Sequence, residues 1–210
     1  LGAVMAVALP LPSEPRQARS RATRKRLLRA CVASLCQQGL AGTTTSEVCR
    51  RAGVSQGALF KHFPTKDALL SAAVEDLFAS LVAEYRRGLS AVSTSEDRVR
   101  AAVHRLWEIM TRPALQAVFE LMAAGRCDAA LRDALEAVQT RHRENLRAAA
   151  RELFPQAAGD GAAFDTLLDV VLSAMQGASL GALVLQDAAA DAQRLELLTS
   201  LARGVLGQES

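Results

Sequence analysis

Apolar residues recur along this chain at intervals of three and four, a spacing that predicts helices from end to end. In residues 21–38, Leu27, Cys31 and Leu35 fall four apart with Leu28 and Val32 beside them, and Gly39 is placed to close the helix. Two short helices fit within residues 43–66. A fourth begins after Thr65 and carries Leu69, Leu70, Val74, Leu77, Phe78, Leu81 and Tyr85 to about Gly88. Its roughly 22 residues would span about 33 Å. Residues 91–95 read as a short polar loop and the expected domain boundary. Ser95-Glu96-Asp97 then opens a fifth helix with Val99, Val103, Leu106, Trp107 and Met110. Pro113 starts a sixth that ends near Gly125, and residues 129–154 make a long seventh. After a break at 155–161, residues 162–185 are apolar nearly all round, which predicts a deeply buried helix. Residues 187–191 turn the chain, and 192–206 form a last amphipathic helix before Gly207. No strand alternation or repeat interrupts this series, so the expected fold is all-α.

The punctuation is densest in residues 43–66. Thr44 with Glu47 three residues on makes a capping box, so a helix should begin at Thr45. Gly53 can take the left-handed conformation that stops it, and Ser55 caps a second helix that Pro64 ends. Leu59 and Phe63, four apart, would face Val48 and Val54 in a small core. Gln56, Gly57, Phe60 and Lys61 then lie on the opposite face. Two helices joined by a three-residue turn containing Gly describe a helix-turn-helix, whose second helix enters the DNA major groove. In that placement Gln56 can pair bidentately with adenine and Lys61 with guanine or a phosphate. Gly57 costs its helix about 1 kcal/mol relative to Ala but lets the backbone approach a partner closely.

The order Gly39, Thr43-Thr44, Val48, Ala52-Gly53-Val54-Ser55, Gly57, Leu59-Phe60, His62-Phe63-Pro64 and Lys66-Asp67-Ala68-Leu69-Leu70 resembles the amino-terminal domain of the tetracycline-repressor (TetR) family. The likeness covers residues 24–70, about a quarter of the chain. It implies a disordered leader over 1–19, a three-helix helix-turn-helix DNA-binding head over 20–66 and a linker helix over 66–88. A larger helical effector-binding and dimerisation domain would fill 89–210. It also implies DNA contacts from Arg24, Thr44, Ser55, Gln56, Gly57, Phe60, Lys61, His62 and Lys66, with Thr44, Phe60, His62 and Lys66 on phosphates and sugars. Two positions depart from the family pattern. Phe60 stands where Tyr is usual and lacks the hydroxyl that binds a phosphate, and Cys36 stands where a Phe commonly packs the first helix.

Charge distribution agrees with a nucleic-acid reader. The total is only +3, but residues 14–66 carry eleven Lys/Arg against two acids, while the rest from Asp67 onward has fourteen basic and twenty acidic side chains. The amino-terminal third therefore carries the electrostatic footprint of a phosphate binder. Arg21, Arg24, Lys25, Arg26 and Arg29 crowd the first turns of a helix, where cations oppose the macrodipole; phosphate contact explains them better than a solvated face does. Cys31, Cys36, Cys49 and Cys127 form no Cys-x-x-Cys pair, and small core residues in a reducing cytosol are the plain reading, with a redox switch as the alternative. Residues 1–12 are apolar, but no basic stretch precedes them and Pro10 and Pro12 interrupt them, so no signal peptide is expected. No apolar run reaches the roughly 18 residues of a membrane span, and a cytoplasmic protein is expected.

The resemblance also implies an effector pocket among the fifth to eighth helices, with His104, Trp107, Met110, Phe119, Met122, His142, Asn145 and Gln176 as candidate liners for a mainly apolar small molecule. For each of them an ordinary core residue is the plainer reading. The eighth helix needs cover beyond one small domain. Its small residues Ala174, Gly177, Ala178 and Gly181 permit close packing, and Leu185, Leu198 and Leu201 supply apolar area for a homodimer interface. No Gly-rich phosphate loop, metal-ligand cluster or nucleophile–base pairing is present, so no enzyme, cofactor or metal is expected. The expectation is a ligand-responsive dimeric regulator, most simply a repressor on a palindromic operator. A DNA-binding architectural or adaptor protein with no effector remains open.

Overall fold

The computed structural model describes residues 16–91, 97–155 and 161–206, and every regular element among them is helical. Helix α1 is Arg16–Gly42, α2 Thr45–Ala52, α3 Gln56–His62, α4 Lys66–Ser90 and α5 Arg98–Met110. They are followed by α6 Pro113–Ala124, α7 Ala129–Leu153, α8 Gly161–Gly181 and α9 Ala188–Val205. Residues 1–15 of the expected leader, most of the 91–95 loop, most of the 155–161 break and Gly207 lie outside the described residues.

Local chemistry sets most of the helix ends. Thr44, Ser55, Thr65, Asp97, Asp128 and Asp187 each accept a hydrogen bond from a first-turn backbone N–H. Pro113 sits in the first turn of α6. Gly39 has φ 65° and breaks α1, so the helix closes there as expected, and a single turn follows it to Gly42. Thr43 anchors that turn: its buried hydroxyl donates to the Gly39 carbonyl at 2.8 Å and lies 3.1 Å from the Ser34 hydroxyl.

Several boundaries move. Helix α1 starts at Arg16 rather than near 21. The turn expected at 187–191 is instead the N-cap and first turn of α9. Helix α8 ends at Gly181, so Leu185 lies beyond it and is 75% exposed. The deep burial expected for α8 is also corrected: within one chain only Phe164, Val171, Met175 and Ser179 are buried. Leu198, assigned to a dimer face, is only 4% exposed and lies in the chain's own core, as do Leu195 and Leu206. Cys31 and Cys49 are buried, whereas Cys36 is exposed and does not pack α1 against its neighbours.

One apolar core runs without a break from Leu27, Val48, Leu59 and Phe63 through Leu70, Val74 and Phe78 of α4 into α5–α9. A second cluster fills the far end around Leu89, Phe154, Phe164 and Leu206. Helix α4 is the shared spine; its 25 residues reach about 37 Å. It is tied to α7 by Arg86–Glu152 at 3.0 Å and Glu75–Arg141 at 3.2 Å. Glu84 takes Arg105 of α5 at 2.6 Å and both nitrogens of Arg112, just before α6, at 2.7 Å. Those guanidiniums, Arg112 foremost, hold the Glu84 carboxyl below its ordinary range. No described helix is long and apolar enough to cross a membrane.

Candidate nucleic-acid interface and effector cavity

The turn between α2 and α3 has the geometry its residues call for. Gly53 sits at φ 63°, ψ 43°, and its N–H reaches back to α2 carbonyls. An L-residue there would be strained, although a Cβ would meet nothing within 4 Å. The capping box is only half formed. Thr44 accepts from the Glu47 N–H at 3.2 Å, but the Glu47 carboxylate turns away to Arg50 at 2.7 Å and to Arg51. Two cations outcompete one backbone amide for it, and they pull its pKa down to about 2, Arg50 most strongly.

Leu59 is fully buried against α2 while Gln56, Gly57, Phe60 and Lys61 stand exposed on the opposite face, with Phe60 46% exposed. Thr44 and Ser55 are exposed beside them, and His62 is half-buried. Arg24 of α1 is exposed and stacks its guanidinium over the Phe63 ring at 5.3 Å, which fixes α1 beside α3. Besides the two caps and the Arg24 stack, two of the expected contact residues donate side-chain hydrogen bonds within the chain. The Gln56 amide donates to the Ser46 hydroxyl at 2.7 Å, and Lys66 donates to the Leu40 carbonyl at 3.4 Å. Ser46 was not foreseen. Its only sequence signal is its place on the exposed side of α2, ten residues before Gln56.

A cavity of about 280 Å³ opens in the second half of the chain between α4, α6, α7 and α8. Met110, Phe119, Met122, His142 and Gln176 line it. Asn145, His104 and Trp107 do not: Asn145 is exposed on the outer side of α7, and Trp107 packs against the core from its rim. The reason is helical phase. The lining residues of α7 are Gln139, His142, Arg143 and Leu146, and those of α8 are Asp169, Leu172, Ser173 and Gln176. Each set follows the i, i+3, i+4, i+7 stripe of one helix face, and Asn145 falls off it. Arg143, Ser173, Gln139 and Asp169 were missed: on α7 a stripe through His142 can run by Gln139 and Arg143 or by Asn145, and only the rotation of the helix in the bundle selects the first.

His142 stacks on Phe78 with ring centroids 3.7 Å apart and planes 9° from parallel. Burial lowers its pKa from 6.5 to about 4, so the ring is neutral near pH 7. The depressed value belongs to the folded state, so between pH 6.5 and pH 4 the unfolded chain binds the extra proton. The stability that comes from keeping this ring neutral is complete above pH 6.5 and is lost as pH falls toward 4. Urea melts should show the wild type losing about 2 kcal/mol more than His142→Phe across that window. Equal acid sensitivity in the two proteins would contradict it.

On α8, α9 and the connection between them, Val170, Leu183, Val184, Leu185, Leu197, Leu201 and Val205 are large apolar residues at least 44% exposed. A groove of small residues, Ala174, Gly177, Ala178 and Gly181 among them, runs beside them. At Gly177 and Gly181 an added Cβ would meet nothing within 4 Å, so nothing within one chain requires glycine there.

These features can be set beside known proteins. The family model for bacterial regulatory proteins of the tetR family matches residues 27–73. An uncharacterized HTH-type transcriptional regulator of Mycobacterium tuberculosis (strain ATCC 25618 / H37Rv) is 26% identical over 185 residues, covering 88% of this chain and 95% of its own. A TetR family transcription regulator from Marinobacter aquaeolei VT8 shares the fold with a TM-score of 0.62 at 18% identity, over 90% of this chain and 97% of its own. Multidrug binding protein EbrR, solved with proflavin, gives 0.56 at 22% identity over 85% and 99%.

Proposed function

The chain belongs to the tetR family of bacterial regulatory proteins and is a DNA-binding transcriptional regulator, and from that premise we propose a dimeric repressor released from a palindromic operator by a small, mainly apolar effector. In this reading residues 20–66 are the DNA head, 66–88 the linker, and 89–210 the effector and dimerisation domain. The observation that carries it is the pairing of an exposed α3 face with a cavity joined to it through one continuous core. An architectural protein without an effector would have no use for that cavity. The neighbour EbrR is named a multidrug binding protein, which agrees in kind with a cavity whose Met, Phe and Leu side chains stand beside Gln, His, Arg, Asp and Ser.

On DNA, Gln56 and Lys61 would read base edges while Gly57 brings the backbone close. Arg24, Thr44, Ser55, His62 and Lys66 would hold phosphates and sugars. Gln56 must either leave Ser46 or keep it as a buttress, its second amide hydrogen and its carbonyl remaining free for adenine. Two heads related by a two-fold axis would enter major grooves about 34 Å apart.

Release follows from the connections of α4. Met110 and Leu115 line the cavity on either side of Arg112, and Arg112 holds Glu84 of the linker helix. A ligand that displaces the α5–α6 corner therefore pulls on α4, whose amino-terminal end carries α3. It shifts the equilibrium only by its differential affinity for the two positions of α4. A gel shift on the DNA upstream of the gene tests the reading, with salt-sensitive, palindrome-dependent binding as the expected result. The Phe60 ring offers a finer check. Phe60→Tyr should restore a phosphate hydrogen bond of about 1 kcal/mol per head, roughly thirtyfold in the affinity of a two-headed dimer. Fluorescence anisotropy that shows no gain would place the ring away from the backbone.

A further inference from the structure

We propose that the ligand of this cavity is an elongated apolar carboxylic acid, its carboxylate held by Arg143 at the mouth and its chain threaded inward past Leu146. The proposal rests on the effector reading above and names the chemistry of that same site.

Shape is the first argument. Beyond the 280 Å³ cavity lie two further hollows, one of about 30 Å³ and then one of about 70 Å³. Phe78 and His142 line the first and second, Tyr85 and Leu106 the second and third, and Leu146 lines all three. They therefore form a row through the bundle, separated by side chains rather than backbone. Three hollows that share lining side chains mark a path that a long, thin molecule could fill by turning a few rotamers. The third hollow, walled by Phe154, Phe164, the ring of Tyr85 and aliphatic residues, suits hydrocarbon.

Charge at the mouth is the second argument. Asp169, the carboxylate that lines the cavity, is already paired with Arg147 at 2.9 Å, and one turn back on α8 Asp165 is paired with Arg151 at 2.6 Å. Arg143 is exposed at the rim and has no carboxylate partner among the described residues. Ser173 and Gln176, across from it on α8, likewise have no hydrogen-bond partner among the described residues. One spare cation and two spare donors together suit a carboxylate. A ligand ammonium would be repelled by Arg143 and find Asp169 occupied, and an alcohol would leave the cation unused. The Phe78–His142 stack, with its imidazole neutral, forms an uncharged wall just inside.

Calorimetric titration of the full-length protein with decanoate, decanol and decylamine, each below its micelle concentration, tests the class. Decanoate should bind at least about tenfold more tightly than either analogue. Across hexanoate to dodecanoate, affinity should rise about fourfold per methylene until the row is full. Arg143→Gln, an exposed substitution the fold should tolerate, should bring decanoate down to the level of decanol and leave decanol unchanged. Three results would overturn the proposal while leaving an effector site in place: equal or better binding of decanol or decylamine, a flat dependence on chain length, or an undiminished carboxylate preference in Arg143→Gln. If none of the three ligands binds, both the proposal and the effector reading behind it fall.

Discussion

Changing Leu201 to Glu is expected to yield a folded monomer whose affinity for a palindromic operator lies on the order of a hundredfold below that of the parent. Leu201 is 47% exposed and belongs to neither apolar core, so the single chain loses little by the change. Its neighbours on the same face are Leu197 and Val205 of α9 and Val170 of α8, with the small-residue groove alongside. An apolar face of this extent, beside glycines that touch nothing within one chain, fits a second copy of the same surface. A glutamate there would have to be desolvated without a partner, which costs several kcal/mol and is met twice in a two-fold interface. Losing the second head removes the effective-concentration gain, which is where the operator affinity goes. Leu198→Glu is the matched control: three residues away but 4% exposed, it should unfold the chain rather than dissociate it. Sedimentation velocity separates these outcomes, and a Leu201→Glu protein that still sediments as a dimer would remove α9 from the interface.

That contrast shows where the sequence stops being readable. Helix α9 carries Leu197, Leu201, Leu198 and Leu195 in one unbroken arc of roughly 160°, so a 3.6-residue period cannot say which part of that arc faces inward. Only packing against α5 and α8 does, and it buries Leu195 and Leu198 and leaves Leu197 and Leu201 outside. The same holds for the cavity. His142 and Gln176 were legible as polar residues on apolar faces, but whether Asn145 or Arg143 joined them depended on how α7 is rotated against α8. The head was different, because its signals are local. Thr44, Ser55 and Thr65 cap helices by bonding amides two or three residues away, and Gly53 needs only its own backbone freedom. Where two local partners compete for one side chain, even local chemistry misleads: Glu47 was expected to close a capping box and is held by Arg50 and Arg51 instead.

Leu59→Ala should abolish operator binding while leaving most of the helix content intact. Helix α3 has seven residues, too few to persist in water on its own propensity. Leu59 is its one buried residue, 0% exposed, and it joins α3 to Val48 of α2 and to the α1 core. Removing that side chain costs about 2–5 kcal/mol per head, because the lost transfer energy is joined by a cavity that α1 and α4 cannot close. The loss falls on the element with least else to hold it: Phe63 follows as a β-region cap, and Gln56, Gly57, Phe60 and Lys61 all face away from the core. Frayed α3 would then have to be reordered on DNA twice per operator, an affinity penalty of at least about a hundredfold. Leu59→Met, which keeps the volume, should cost less than about 1.5 kcal/mol and retain binding. Far-ultraviolet circular dichroism, anisotropy on operator DNA and limited proteolysis at α3 together decide the matter. Full affinity in Leu59→Ala would mean that α3 is not the helix that reads the groove.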